Sequence, residues 1–202
     1  MTVMRLSVNK PESRFINSQR KWPTRQFNKK LKVCQLWENM RQRVEYSDFH
    51  KHQPTYIGVK VCDEWLDYQN FADWFDEQVK LGAYKEGWHL DKDIFSPKGK
   101  KIYSPTTCTF LPKDLNNVLV SNQASRGECA RGVNRHRYKF AARVSRGNKG
   151  ILQKTFDTEL EAFQYYKQHK ELYVKSLVAE YKDMLPQEVV DFFNNYEVNF
   201  DD

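Results

Sequence analysis

Asp91, Lys92 and Asp93 stand in a row, with His89 just before them and Asn116 and Asn117 further along the chain. Carboxylate and carboxamide oxygens suit hard divalent ions, and an ion held by them stabilises charge on a phosphate and its leaving oxygen. The segment from Trp88 to Leu119 predicts a frame for such a site. Leu90 to Ile94 reads as a first strand and Thr107 to Leu111 as a second, joined by a glycine-containing loop. Pro112 then opens a short helix carrying Asn116 and Asn117, a favoured place for proline. A strand–strand–helix unit with an acid on its first strand and an Asn on its helix can clamp one divalent metal. Spacing alone leaves a plainer alternative open, in which two aspartates bracket a lysine at a solvated strand end.

The rest of the chain must hold that unit in place. Its 202 residues allow one ordinary domain or two small ones, and 40% hydrophobic with 14% aromatic residues allow a packed core. The net charge of +7 favours a polyanionic partner. No run approaches the ~20 apolar residues of a membrane span, and Met1 to Lys32 contains no apolar stretch of the kind a signal peptide needs. Cys34, Cys62, Cys108 and Cys129 are scattered without a C-x-x-C pair, so buried free thiols in a reducing cytosol are expected.

Charge changes sign along the chain. Met1 to Val33 carries nine basic residues against Glu12; Asp63 to Asp93 carries nine acids against three lysines; Arg126 to Lys154 returns to nine basic residues against Glu128. Two basic segments flanking an acidic one suit a protein that grips a polyanion, and the acidic stretch could alternatively serve as a docking surface for a protein partner. Residues 1–30 lack apolar pattern and read as a basic, mostly extended arm. Val33, Leu36, Trp37, Met40 and Val44 recur at helical spacing and predict a helix from Leu31 to Tyr46. Tyr56 to Val61 reads as a short strand or extended turn. Asn70 is expected to cap a helix carrying Phe71, Trp74 and Phe75, with Asp73 in its first turn. With Trp65, those aromatics read as core rather than as a ligand cage.

Leu90-Asp91-Lys92-Asp93, Tyr103-Ser104-Pro105-Thr106-Thr107-Cys108 and Leu115-Asn116 together resemble the HNH endonucleases common in bacteriophage genomes. The branch resembled has an L-D-[RK]-[ID]-[DI] strand followed by Y-S-P-E-[NT]-C. Leu36-Trp37-Glu38-Asn39-Met40-Arg41, the run from Tyr56 to Trp65, and Asn70-Phe71 with Trp74 extend the likeness over about Leu36 to Val120. The resemblance implies metal-dependent phosphodiester hydrolysis, nicking or cleaving duplex DNA in a bacterial host's cytoplasm. It implies Mg²⁺ or Mn²⁺ held by Asp91, Asp93 and Asn116. Two positions depart from the pattern. The family's general-base His after the first-strand Asp is Lys92, and an ordinary lysine ammonium gives up its proton only well above neutral pH. The Asn before the Cys is Thr107. His89 lies on the same side of an alternating strand as Asp91 and Asp93, and could replace the base if the alignment shifts. A cutting enzyme and a non-cleaving DNA-binding or regulatory relative both remain open.

The C-terminal segment has the stronger pattern. Tyr138, Phe140, Ala142 and Val144 alternate with Arg137, Lys139, Ala141, Arg143 and Ser145, which predicts a strand with one apolar and one basic face. Arg131 to Arg135 reads as a preceding strand. Arg146 to Gly150 supplies turn chemistry into a third strand, Ile151 to Phe156. Thr158-x-x-Glu161 is a capping box opening a helix whose Ala162, Phe163, Tyr166, Tyr173 and Leu177 can mostly cover the apolar face. The prediction is a three-stranded antiparallel sheet with a helix on one side and basic residues on the other, suited to the ~12 Å major groove. Arg131, Arg135, Arg137, Lys139, Arg143, Arg146 and Lys149 are the expected contacts, and a solvated cationic face is the alternative. Arg131-Gly132-Val133, Lys139-Phe140-Ala141-Ala142 and Thr155 to Phe163 resemble the AP2-type DNA-binding domain, though the family's usual Leu-Gly is Gln153-Lys154 here. The helix is expected to run to about Asp183, a second to start at Pro186 and end by Tyr196, and Asp201-Asp202 to be solvated.

These readings give an α+β chain: a basic arm over 1–30, an HNH-like ββα-metal unit over 31–120, and an AP2-like sheet packed on a helix, with C-terminal helices, over 121–202. The expected partner is double-stranded DNA, with no membrane. Nothing in the sequence fixes the oligomeric state, and a monomer satisfies it.

Overall fold

The computed structural model of the chain describes residues 13–18, 21–97, 100–119 and 128–200. In chain order its elements are β1 (Arg25–Gln26), β2 (Lys29–Lys30), α1 (Lys32–Glu45), α2 (Ser47–His52), β3 (Lys60–Val61), α3 (Tyr68–Lys80), β4 (His89–Asp91), β5 (Ile102–Tyr103), β6 (Thr109–Leu111), α4 (Lys113–Leu119), β7 (Val133–His136), β8 (Lys139–Ser145), β9 (Ile151–Phe156), α5 (Glu159–Tyr181) and α6 (Gln187–Asn194). Helices and small sheets mix along the chain, an α+β fold. Two compact units form, residues 1–81 with 95–108, and residues 82–94 with 109–202. The hairpin β4–β6 and α4 thus belong to the unit that holds β7–β9. The expected boundary at 120–121 and the terminal Asp201-Asp202 lie outside the described residues.

In the first unit, helical spacing brings Val33, Leu36, Trp37 and Met40 of α1 to one buried face. Trp37 meets Phe15 and Tyr68 edge-on at 5.4 and 5.7 Å, and Trp65 meets Phe71 and Trp74 at 5.0 and 4.7 Å. The aromatic stripe is therefore core, with Phe75 half-buried at its margin. Asp67, not Asn70, caps α3: its side chain accepts from Gln69 N, while Asn70 donates its side-chain amide to Glu64 O at 2.8 Å. Helix α3 starts earlier than the apolar run suggests, so Asp73 falls outside its first turn.

The basic arm is also corrected over its described part. Phe15 is buried, Ile16 pairs with Asp67 as an isolated bridge, and Arg25–Lys30 forms a hairpin. Gln69, 1% exposed, anchors the stretch between them, accepting from Lys21 N and Trp22 N and donating to Asn17 Oδ1 and Trp22 O. A buried carboxamide with its groups paired stabilises; the same group left unpaired would cost about 1–3 kcal/mol. Residues 1–12 and 19–20 of the arm lie outside the described residues.

In the second unit, β4 and β6 pair antiparallel with His89 opposite Leu111 and Asp91 opposite Thr109. Both strands are shorter than expected. The first stops at Asp91 because the Asp91 carboxylate accepts from Asp93 N and Ile94 N, turning the backbone. The second starts late because Ser104 to Thr107 form a turn, in which Thr107 Oγ1 donates to Ile102 O at 2.6 Å. Pro112 precedes α4, as expected.

β7, β8 and β9 form one antiparallel sheet in that order. Val133, Ala142 and Val144 bury against Ala162, Phe163 and Tyr166 of α5, with Phe140, Leu152 and Phe156 around them. The capping box forms: Thr158 Oγ1 accepts from Glu161 N while Glu161 Oε2 accepts from Thr158 N. Tyr173 and Leu177 lie beyond the sheet, on later turns of α5. Helix α5 goes on to pack against α6, which buries Val189, Val190 and Phe193. Glu171 and Lys167 pin the chain near its end, accepting from Val198 N and donating to Val198 O at 2.9 Å each. Two strand assignments change. The first strand begins at Val133, because Gly132 is left-handed at φ +76. Tyr138 lies not on the apolar face but at the hairpin tip with Arg137, whose φ is +56.

Candidate functional site

Cross-strand register partners in an antiparallel sheet share a face. Since Val133, Ala142 and Val144 face α5, their alternates Asn134, His136, Lys139, Ala141 and Arg143 face away, as do Gln153 and Thr155 of β9, while Ser145 at the end of β8 borders a cavity beside α5. This open face contains no acid on any of the three strands. Arg143 stands at the middle of the central strand, exposed and without an ion pair among the described residues. Lys139 meets Asp157 at 2.8 Å at the sheet margin, both well exposed, a contact that contributes little in water.

The register moves one expected residue off this face. Arg135 pairs with Phe140, which pairs with Phe156, so it projects to the helix side, its guanidinium 5.3 Å from the Phe140 ring. Lys154 does the same, lying 5.4 Å from the Tyr165 ring of α5. Arg137 is exposed at the hairpin tip, Lys149 is exposed in a turn 3.9 Å from Glu180, and Arg146 is half-buried. Arg131 precedes β7 and lines a cavity beside α5. The seven cations expected on one surface are thus dispersed, with Lys139 and Arg143 left on the open strands and Arg137 at their tip.

Sequence reading missed Tyr138 as a surface residue. It is 99% exposed between Arg137 and Lys139. Phe27, 90% exposed, is the first of the two tip residues of the β1–β2 hairpin, with Arg25 and Lys29 each two residues away. An exposed aromatic flanked by cations can stack on a base or sugar while the cations meet phosphate. The signal in the sequence is the two-residue separation between paired strands, legible only once the register is known.

At the Asp91 hairpin, His89 is exposed and Asp91 buried, with Asp91 Oδ1 taking the two backbone N–H groups of Asp93 and Ile94 at 2.9 and 3.2 Å. Burial holds the Asp91 carboxyl above the usual carboxylate range, and the nearby Asp93 charge adds to the shift against those hydrogen bonds and the Lys92 charge. Lys92, buried, donates to both oxygens of Asp93 at 2.8 Å each. Asn116 lies on α4, half-buried, its backbone N–H bonded to Pro112 O. The donor set fits a divalent ion in part: Asp91 keeps its second oxygen free of hydrogen bonds among the described residues, whereas Asp93 is committed to Lys92. Among the described residues no three His, Cys, Asp or Glu side chains converge to hold a metal ion.

Within the acidic stretch Glu64, Glu77 and Glu86 are exposed, and several of its aspartates have named partners. Asp63 pairs with Arg14, Asp73 with Lys21 and Trp22 Nε1, and Asp76 with Lys80; Asp67 caps α3. All four cysteines are free thiols, Cys34 and Cys108 buried and Cys62 and Cys129 half-buried. No helix among the described residues is long and apolar enough to cross a membrane. No protein-family model, curated protein or solved structure matches the chain.

Proposed function

We propose that this chain binds duplex DNA through the open face of β7–β9. The observation that carries the reading is the exposed Arg143, without an ion pair among the described residues, at the centre of an acid-free strand face, with Lys139 four residues earlier on the same strand. Three strands about 4.8 Å apart make a ribbon that enters a groove about 12 Å wide. Arg143 then reaches base edges or phosphates, Asn134, His136, Gln153 and Thr155 supply polar contacts, and Arg137 and Tyr138 meet the backbone at the tip. Measuring duplex affinity across a salt series tests this. The three cations Arg137, Lys139 and Arg143 give about three phosphate contacts and a log–log slope near −3, at roughly −0.9 per contact. A flat response removes the reading.

The same proposal extends to the Asp91 hairpin. The order β4, β6, α4 supports a site in which Asp91 and Asn116 hold a divalent ion, joined by Asp93 if Lys92 releases it, with His89 as the candidate base for phosphodiester hydrolysis. Such an ion would stabilise the charge building on the scissile phosphate. The Lys92–Asp93 pair favours a second reading, DNA binding without cutting. Supercoiled plasmid incubated with protein and Mg²⁺ or Mn²⁺ decides between them. Nicking lost in Asp91→Asn supports the site; nicking that survives both Asp91→Asn and Asp93→Asn sinks it. DNA binding with no nicking under either metal selects the non-cleaving reading.

A further inference from the structure

A cavity of about 350 Å³ opens within the second unit, lined by Asp114 and Asn117 of α4, Arg131, Ser145, and Lys170 and Tyr173 of α5. It holds two cations against one carboxylate. Lys170 makes no ion pair among the described residues; its ammonium lies 5.7 Å from the Tyr173 ring.

The half-buried Lys170 and Arg131 repel each other, and partial loss of water around Lys170 adds to the cost of its charge. An anion between them offsets both terms. The excess of one positive charge matches a monoanion, and Asp114 opposes a dianion. The volume, room for roughly a dozen waters at about 30 Å³ each, exceeds a bare phosphate and admits one with an attached sugar. Asp114 and Asn117 can then meet the sugar hydroxyl or a base edge.

We propose that this cavity binds one phosphodiester group between Lys170 and Arg131, a second anchoring point for nucleic acid away from the open sheet face. The source of the diester rests on the DNA reading above; the chemistry of the pocket rests on its own residues. Burial first, then the Arg131 charge, lowers the Lys170 pKa to about 8. The other charged or titratable groups around it are Asp114 from α4, Tyr166 and Tyr173 from its own helix, and Arg146 near Tyr173. A bound anion favours the charged amine, so binding raises that midpoint, and affinity falls as pH passes through it.

The test follows the Lys170 side chain by NMR in the full chain, with dimethyl phosphate and a duplex oligonucleotide as separate probes. Both are expected to move the Lys170 resonance and raise its titration midpoint. Lys170→Met, which relieves the repulsion with Arg131 and so spares the fold, should lower the salt slope for duplex by about 0.9, one contact. Lys170→Arg should keep that slope. If duplex binds the wild type and Lys170→Met with equal affinity and slope, and neither probe moves Lys170, the pocket is overturned while the DNA reading stands. If dimethyl phosphate moves Lys170 and duplex does not bind, the pocket stands with a free diester as its ligand and the DNA reading falls. A silent Lys170 with both probes and no duplex binding overturns both.

Discussion

Gly132→Ala tests how α5 is seated on the sheet. Gly132 has φ +76, and a Cβ there would stand 2.1, 2.2 and 2.4 Å from Tyr166 Cδ2, Cε2 and Cγ. Two costs combine. A left-handed alanine costs about 1–2 kcal/mol, and forcing extra volume into a packed core costs about 1–3 kcal/mol. Together they give roughly 2–5 kcal/mol, a large share of the 5–15 kcal/mol typical of a domain. Gly82→Ala separates the two terms, since Gly82 has φ +70 with nothing within 4 Å of its Cβ position. Urea unfolding followed by far-UV circular dichroism gives the change for each variant from the midpoint and slope. Adding Tyr166→Ala to Gly132→Ala should cost less than the sum of the single changes, because the clash is removed with the ring. If Gly132→Ala destabilises no more than Gly82→Ala, the ring does not sit over the glycine and the packing account of this sheet is wrong.

Asp91 predicts a pH effect. Its folded pKa lies above the ordinary 3.8, so the folded chain holds the proton more tightly than the unfolded chain. Stability from this group is therefore present at low pH and is lost as pH rises from about 3.8 through the folded value. Asp91→Asn keeps an acceptor for Asp93 N and Ile94 N and should be the more stable chain at pH 7, its advantage shrinking toward pH 4 in urea titrations. Asp91→Ala should instead destabilise by about 1–3 kcal/mol for each N–H left unpaired. Thr158→Ala removes the side-chain half of the capping box, leaving the backbone N–H at 158 to donate to Glu161, and should cost about 1 kcal/mol, while Thr158→Ser recovers most of it in the same assay.

Much of the second unit was legible because period and local chemistry agree there. The capping box at Thr158, the third strand over Ile151–Phe156 and the break near Pro186 each rest on interactions between residues close in sequence. What failed depended on register. One residue of offset turns a side chain to the opposite face. Alternation alone puts Arg135 beside the basic surface and Tyr138 on the apolar one, whereas the hairpin tip falls at Arg137 and Tyr138. Gln69 is invisible for a different reason: its three partners, Asn17, Lys21 and Trp22, sit some fifty residues earlier in the chain, in a stretch with no apolar pattern. At the Asp91 hairpin the residue types were readable. The burial of Lys92 and its bidentate hold on Asp93 were not, because both follow from the turn that ends β4.

The most direct test of the DNA-binding account compares two double charge reversals in one duplex-affinity titration at fixed salt. Lys139→Glu with Arg143→Glu alters the open face, and Arg135→Glu with Lys154→Glu alters the helix side by the same net charge. Nonspecific attraction and steering change comparably in both. The account predicts that the open-face pair abolishes binding, while the helix-side pair retains affinity within about tenfold, roughly 1.4 kcal/mol. Equal losses in the two variants, or a larger loss from the helix-side pair, would contradict it.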